Sequence, residues 1–302
     1  MTISRVWVLG LAFGAMACGG PIEQNEHQST DMTTSVSPFY LGQTPPADEP
    51  VVFGPGSVSV EGRYEYAMSI HPDGQQLIFT VEIPTKGAAI YATSIEDGVW
   101  TEPRPVQITG GDWTNEMEAF FSPDGEKLFF APFCEGMDVR IWSAEVTKDG
   151  FHNPQPLGMP ISKDPSFYPV QATDGTLYYT NLKHQAVYRA RLGDGEIESA
   201  EPAGLDGVGH AFPSPDGNYI LLDSASMNSK EQRDIFVAFK NDDGSWTSPR
   251  PLGPSVNTDH SETCPSLSPD GRFIFFSRYN EPGELSNIYW VSSEVIDSVS
   301  PA

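Results

Sequence analysis

The chain has 302 residues, 41 of them acidic and 17 basic, for a net charge of −24. That balance argues against sequence-independent nucleic-acid binding, which needs a basic footprint on the phosphates, and against electrostatic docking on anionic lipid. The 28 glycines and 27 prolines suit a fold with many tight turns.

The first twenty residues stand apart. Arg5 is followed by an apolar run over 6–17 and then by Cys18-Gly19-Gly20. One positive charge ahead of an apolar run too short to span a bilayer reads as an export signal. Ala15-Met16-Ala17-Cys18 is similar to a bacterial lipobox, which makes Cys18 the expected lipidation site and residues 1–18 a lipoprotein-type signal; ordinary cleavage near Ala17 and an uncleaved anchor are the alternatives. Residues 19–49 are rich in Gln, Asn, Ser, Thr, Glu and Pro, a composition that cannot bury enough apolar surface to order itself. They are expected to form a tether with an r.m.s. span on the order of 30 Å.

From residue 50 to about 296 the sequence repeats. His71-Pro72-Asp73-Gly74, Ser122-Pro123-Asp124-Gly125, Thr173-Asp174-Gly175, Ser214-Pro215-Asp216-Gly217 and Ser268-Pro269-Asp270-Gly271 align, with aspartates 51, 50, 42 and 54 residues apart. Each turn leads into an apolar run, such as Leu128-Phe129-Phe130 or Phe273-Ile274-Phe275-Phe276, of the kind that forms buried strands. Proline presets the first turn position and glycine takes the left-handed one that closes the hairpin. A third strand follows in each copy (Asp234-Ile235-Phe236, Asn287-Ile288-Tyr289), and then a proline-flanked segment suited to an outer edge (Pro103-Arg104-Pro105, Pro249-Arg250-Pro251).

Four strands per unit, repeated radially, predict an all-β fold: a five-bladed β-propeller. The fifth repeat lacks an outer strand of its own, and Pro50-Val51-Val52-Phe53 is an unmatched strand ahead of the first, so the N-terminal strand is expected to close the last blade.

The Ser-Pro-Asp-Gly turn, the Leu-x-Phe strand and the Asp-Ile-Phe or Asn-Ile-Tyr strand resemble the WD40-like PD40 repeats of the TolB-like propeller superfamily. The resemblance covers roughly residues 50–292 and implies a cell-envelope propeller. It also keeps a six-bladed ring as the alternative.

Residues eight and six before each turn aspartate are expected around the mouth of the central channel. The former are Glu65, Glu116, Ser166, Val208 and Glu262; the latter are Ala67, Glu118, Tyr168, His210 and Cys264. With neighbours from the adjoining loops, Glu65, Tyr66, Trp113, Glu116, Glu118, Asp164, Tyr168, His210, His260, Glu262 and Arg278 are the candidate ligand-binding residues. The competing reading makes Glu65, Glu116 and Glu262 framework residues that accept backbone N–H bonds. His210, His260 and Glu262 could face one cation, but no His-Glu-x-x-His or paired Cys-x-x-Cys spacing occurs. No metal, cofactor or catalytic residue is therefore assigned. Cys134 and Cys264 belong to repeats two and five and are expected as separate thiols.

The leading reading is an envelope lipoprotein, periplasmic or surface-facing and held by its lipid anchor, whose propeller binds a protein, peptide or glycan. The alternative is a carbohydrate-active enzyme that uses the same carboxylates.

Overall fold

The computed structural model describes residues 39–301 apart from 84–85, 111–114, 194–196, 226, 228–231 and 280–284. The signal segment with Cys18, residues 19–38 of the expected tether and Trp113 lie outside the described residues.

β1 (Val51–Val52) stands ahead of the repeats. The first repeat supplies β2 (Tyr64–Ile70), β3 (Gln76–Ile83), β4 (Gly87–Glu96), β5 (Val99–Trp100) and β6 (Arg104–Val106). The second gives β7 (Asn115–Phe121), β8 (Lys127–Phe133), β9 (Trp142–Thr147) and β10 (Gly150–Pro156); the third β11 (Ser166–Gln171), β12 (Thr176–Asn181), β13 (Ala186–Leu192) and β14 (Ile197–Asp206). β15 (Ala211–Pro213), β16 (Tyr219–Ser224), β17 (Asp234–Phe239) and β18 (Arg250–Pro251) form the fourth, and β19 (Glu262–Leu267), β20 (Phe273–Tyr279) and β21 (Ser286–Ser292) the fifth.

Within each repeat successive strands pair antiparallel as a meander, except that β5 and β6 both pair with β4. The outer partner of β21 is β1, with Val51 opposite Trp290 and Val52 opposite Tyr289. A single parallel bridge, Tyr64 to Ser286, joins the sheets of the first and fifth repeats.

The turns use every residue of their motif. Gly74, Gly125, Gly175, Gly217 and Gly271 all have φ between +71° and +84°. The glycine N–H donates to the carbonyl three residues back, as Gly125 does to Ser122 at 2.9 Å. The Asp124 carboxylate accepts from the Ser122 hydroxyl at 2.5 Å and from the Glu126 N–H at 3.0 Å, and Asp216 and Asp270 repeat the pattern.

The second strand of each sheet is apolar on both faces because each face meets a different neighbour. Leu77, Phe79 and Val81 pack with Phe273, Phe275 and Trp290 of the fifth repeat, while Ile78 between them packs with Leu128 and Phe130 of the second. Likewise Phe129 faces Leu177 and Tyr179, Tyr178 faces Ile220 and Leu222, and Leu221 faces Ile274 and Phe276. Continuous apolar runs are the signature of strands buried on both sides.

Ordered chain begins earlier than composition indicates. Tyr40 packs edge-on against Phe273, with ring centroids 5.1 Å apart, and lies 5.3 Å from Trp290. The Gln43 side chain accepts from the Gly54 N–H and donates to the Val52 carbonyl, and the Ser292 N–H donates to the Ala47 carbonyl. The tether boundary at residue 49 is thus corrected: residues 40–47 belong to the folded body. Composition misses this because the partners of Tyr40 lie more than two hundred residues away. Cys134 and Cys264 are both free thiols.

Phe53 is fully buried between Phe275 and Trp290 at the junction of the first and last repeats. Phe53→Ala should therefore cost about 3–5 kcal/mol of unfolding free energy, whereas Val51→Ala, at a site 42% exposed, should stay within about 0.5 kcal/mol. Urea titration of the two variants checks this, and equal losses would show that the junction is not sealed by Phe53.

Candidate functional site

The innermost strands share one irregularity. β2, β7, β11 and β19 each slip register against their neighbour, between Tyr66 and Ser69, Met117 and Phe120, Phe167 and Val170, and Thr263 and Ser266. The residue six before the turn aspartate is left-handed in all four: Ala67, Glu118, Tyr168 and Cys264 have φ of 52°, 54°, 54° and 53°. Non-glycine residues adopt this conformation at a penalty. His210 is the exception, preceded by Gly209.

The neighbouring repeat anchors these bulges, in most cases from one position of its second strand. The Glu118 N–H donates to Thr80 Oγ1 at 2.8 Å and the Cys264 N–H to Asp223 Oδ2 at 2.8 Å. Thr180 donates to the Gly209 carbonyl at 2.6 Å, and Ser277 to the Glu65 carbonyl at 3.0 Å. The equivalent residue in repeat two is Ala131, which has no polar side chain. There the Glu118 carboxylate takes the role and accepts from the Tyr168 N–H at 3.0 Å.

The bulge also breaks the two-residue alternation that would put positions minus eight and minus six on one face. The expected convergence of Glu65, Glu116 and Glu262 with the minus-six residues is corrected accordingly. Glu65 accepts from the Val60 N–H and from Arg63 Nε. Glu116 accepts from the N–H groups of Ile108 and Thr109 and from the Thr109 hydroxyl. Glu262 accepts from the N–H and hydroxyl of Thr258 and from Arg278 Nε. Each carboxylate is engaged by the loop that enters its own strand.

Arg278 is also held by the Val256 carbonyl and lies 4.5 Å over the Tyr289 ring. Asp164 pairs with Lys183 at 2.9 Å. The His260 N–H caps Thr258. Asp164 and Arg278 are thus engaged by groups of their own repeats and the loops that enter them.

The axis itself is filled. Ala67, Phe120, Tyr168, Val170 and Cys264 form a buried cluster, with Tyr66, Phe167 and Phe212 against it, so all five repeats contribute. Tyr168 donates its hydroxyl to the Pro265 carbonyl at 2.9 Å, and its ring lies 4.7 Å from Phe120 and 4.5 Å from His210. The Tyr66 hydroxyl faces Met117 Sδ at 4.0 Å.

One polar group sits against this plug. His210 Nδ1 lies 2.5 Å from Asp223 Oδ2, and Nε2 lies 3.4 Å from Glu118 Oε1. Asp223 also accepts from Arg233 Nη1 at 2.6 Å. Gly209 makes the room, since a Cβ there would meet Arg233 at 2.1 Å and Asp223 at 2.4 Å. Burial works to lower the His210 pKa, but the Asp223 carboxylate and the Cys264 sulfur outweigh it and hold the imidazole well above its ordinary range. Burial pushes the Cys264 thiol up, and His210 opposes it.

Thiol, imidazole and carboxylate in sequence resemble an activated nucleophile. The geometry is wrong for one. Cys264 Sγ is 3.6 Å from Nε2 and 3.8 Å from Nδ1, so it does not point along either nitrogen's hydrogen-bond axis, and Nε2 faces Glu118. Glu118, His210 and Cys264 do present three metal-ligating atoms within 4.8 Å of one another. The sequence reading missed Asp223 and Arg233. The available signal was a charged residue closing the apolar run Tyr219-Ile220-Leu221-Leu222, where other repeats carry Thr80, Thr180 or Ser277.

At the other end of the inner strands, the Asp-Gly turn regions of all five repeats ring a cavity of about 530 Å³. Ile70, Phe121, Val170, Phe212 and Leu267 give it an apolar wall, and Asp73, Asp270 and Arg272 give it a charged rim.

No family model matches the chain, and no curated protein matches it by sequence. Among solved structures, a TolB-type protein from Agrobacterium tumefaciens superposes with a TM-score of 0.51 at 18% identity, over 77% of this chain and 78% of that one. The folded body is a β-propeller. TolB from Acinetobacter baumannii gives 0.47 at 17% identity, over 75% of this chain and 56% of its own, and a gluconolactonase from Xanthomonas campestris gives 0.48 at 12% identity, over 82% and 95%. Likeness at such identities concerns the propeller fold alone.

In this propeller Glu65 has the clearest pH signature. Burial raises its pKa from 4.5 to about 7 against the opposing pull of Arg63, and Oε2 has no hydrogen-bond partner among the described residues. Between those two pH values the folded state keeps a proton that the unfolded chain has lost, so this carboxyl makes stability fall as pH rises. Glu65→Gln should flatten the profile, removing on the order of 2 kcal/mol of the loss between pH 5 and pH 8. Urea midpoints at the two pH values test it, and parallel profiles for wild type and variant would rule the assignment out.

Proposed function

We propose that the chain is an exported, membrane-tethered propeller that binds a protein or peptide ligand in the cavity at the turn end of its axis. The observation that carries the reading is the cavity: a recess of about 530 Å³ with an apolar wall and a few polar groups at the rim, the usual character of a binding site. It moves the binding end away from the loop side, where the sequence had placed it. The wall suits an apolar side chain. The rim carboxylates Asp73 and Asp270, with a net charge of −24, favour a neutral or basic flank.

The same proposal includes a ring of five PD40-type blades closed by the N-terminal strand. The pairing of Val51 with Trp290, and the packing of fifth-repeat Phe275 on first-repeat Phe79, support it. Export, envelope location and lipidation at Cys18 rest on the apolar run and the Ala15-Met16-Ala17-Cys18 segment. Glu65, Glu116 and Glu262 are each held by their own loop, which favours the binding reading over the carbohydrate-active one.

Gln171 lines the cavity and is only partly buried. In panning of a displayed peptide library, wild type should enrich peptides with an apolar anchor, and Gln171→Trp should weaken them at least tenfold by filling the recess. Binding that survives the tryptophan, or binding only on a glycan array, would overturn the peptide reading. For the address, Cys18→Ser should move the protein from the membrane fraction to the soluble exported fraction on cell fractionation. Equal membrane retention would remove the lipid anchor.

A further inference from the structure

The residues six before the turn aspartates form one ring at the axis: Ala67, Glu118, Tyr168, His210 and Cys264. Three of them offer metal-ligating atoms of different chemistry. Glu118 Oε1 lies 3.4 Å from His210 Nε2, Cys264 Sγ lies 3.6 Å from the same nitrogen, and all three atoms fall within 4.8 Å of one another. A tetrahedral zinc ion at its usual bond lengths holds nitrogen and oxygen ligands about 3.4 Å apart and nitrogen and sulfur ligands about 3.6 Å apart. Two of the three edges already have those lengths; Sγ also lies 3.8 Å from Nδ1, so the Cys264 side chain must rotate in front of Nε2 to share an ion with it.

The surroundings match as well. A metal-bound imidazole commonly donates its second nitrogen to a carboxylate, which fixes the ring. Here His210 Nδ1 faces Asp223 Oδ2 at 2.5 Å, and the same oxygen accepts the Cys264 N–H at 2.8 Å. One carboxylate, itself held by Arg233, orients two of the three donors.

We propose that Glu118, His210 and Cys264 bind a single divalent cation of the zinc class, with Asp223 as the positioning residue. A thiolate, an imidazole and one carboxylate suit zinc; calcium and magnesium seek six or more oxygen ligands. Three protein donors leave a fourth position for water or an incoming group. The His210 side chain, 13% exposed, marks the approach. The donors come from repeats two, four and five, so the ion would also tie the ring together. The site stands apart from the ligand cavity, which draws on residues two or more positions nearer the turns.

The test uses untagged protein stripped with a chelator and then titrated with zinc or cobalt(II). Wild type should bind one equivalent, show a thiolate-to-cobalt charge-transfer band and melt at a higher temperature with zinc. Cys264→Ser should abolish the band and weaken zinc at least tenfold, while Cys134→Ser keeps both. Asp223→Asn retains all three donors and should weaken zinc about 10- to 100-fold; circular dichroism checks that each variant is folded. Wild type without the band or without stoichiometric binding would overturn the proposal, as would zinc affinity unchanged in folded Cys264→Ser and Glu118→Gln.

Discussion

The two-sided apolar strand is the constraint from which the rest follows. Runs such as Leu77-Ile78-Phe79 or Phe273-Ile274-Phe275-Phe276 send alternate side chains to opposite faces of their sheet. A sheet built this way cannot stop at one neighbour, because its other face would be left in water at roughly 25 cal/mol per Å² of apolar surface. Fifth-repeat Phe275 and Trp290 therefore meet first-repeat Phe79, with Phe53 and Tyr40 filling the seam. Once the sheets succeed one another around an axis, their innermost strands have no choice but to meet there.

How they meet is set by a strained backbone residue. At three of the four left-handed positions, Glu118, Tyr168 and Cys264, the N–H bonds to a side chain of the neighbouring repeat. A buried amide or carbonyl left without a partner is penalised by about 1–3 kcal/mol, so the second-strand position opposite is polar in four repeats: Thr80 and Asp223 accept an N–H, and Thr180 and Ser277 donate to a carbonyl. The exception explains where Glu118 points. Ala131 cannot act, and Glu118 is drawn across to the Tyr168 N–H, which leaves its second oxygen facing His210.

The two ends of the axis consequently differ in chemistry. Toward the turns, strand ends carry Ile70, Phe121, Val170, Phe212 and Leu267 and enclose an apolar recess. On the other side of the plug, Glu118, His210, Asp223 and Cys264 form a compact polar cluster with Arg233 over it. Phe120 and Tyr168 stand at the middle of the plug.

The repeat, the turn and the strand order were legible in the sequence because they are local. The Ser-Pro-Asp-Gly motif contains its own hydrogen-bond partners, and alternation within a run needs no distant information. The missing outer strand was legible too, since counting repeats pointed to Val51-Val52 as the partner that β21 lacked. The order of Tyr40 was not, because its ring depends on Phe273 and Trp290. Nor was the site. A regular strand would align positions minus eight and minus six, and only the bulge, held by a side chain of another repeat, separates them. Composition and periodicity determined that this chain would form a repeated β fold. Which side chains share the axis was decided by tertiary structure, because three of the four left-handed residues there are held by side chains of a neighbouring sheet.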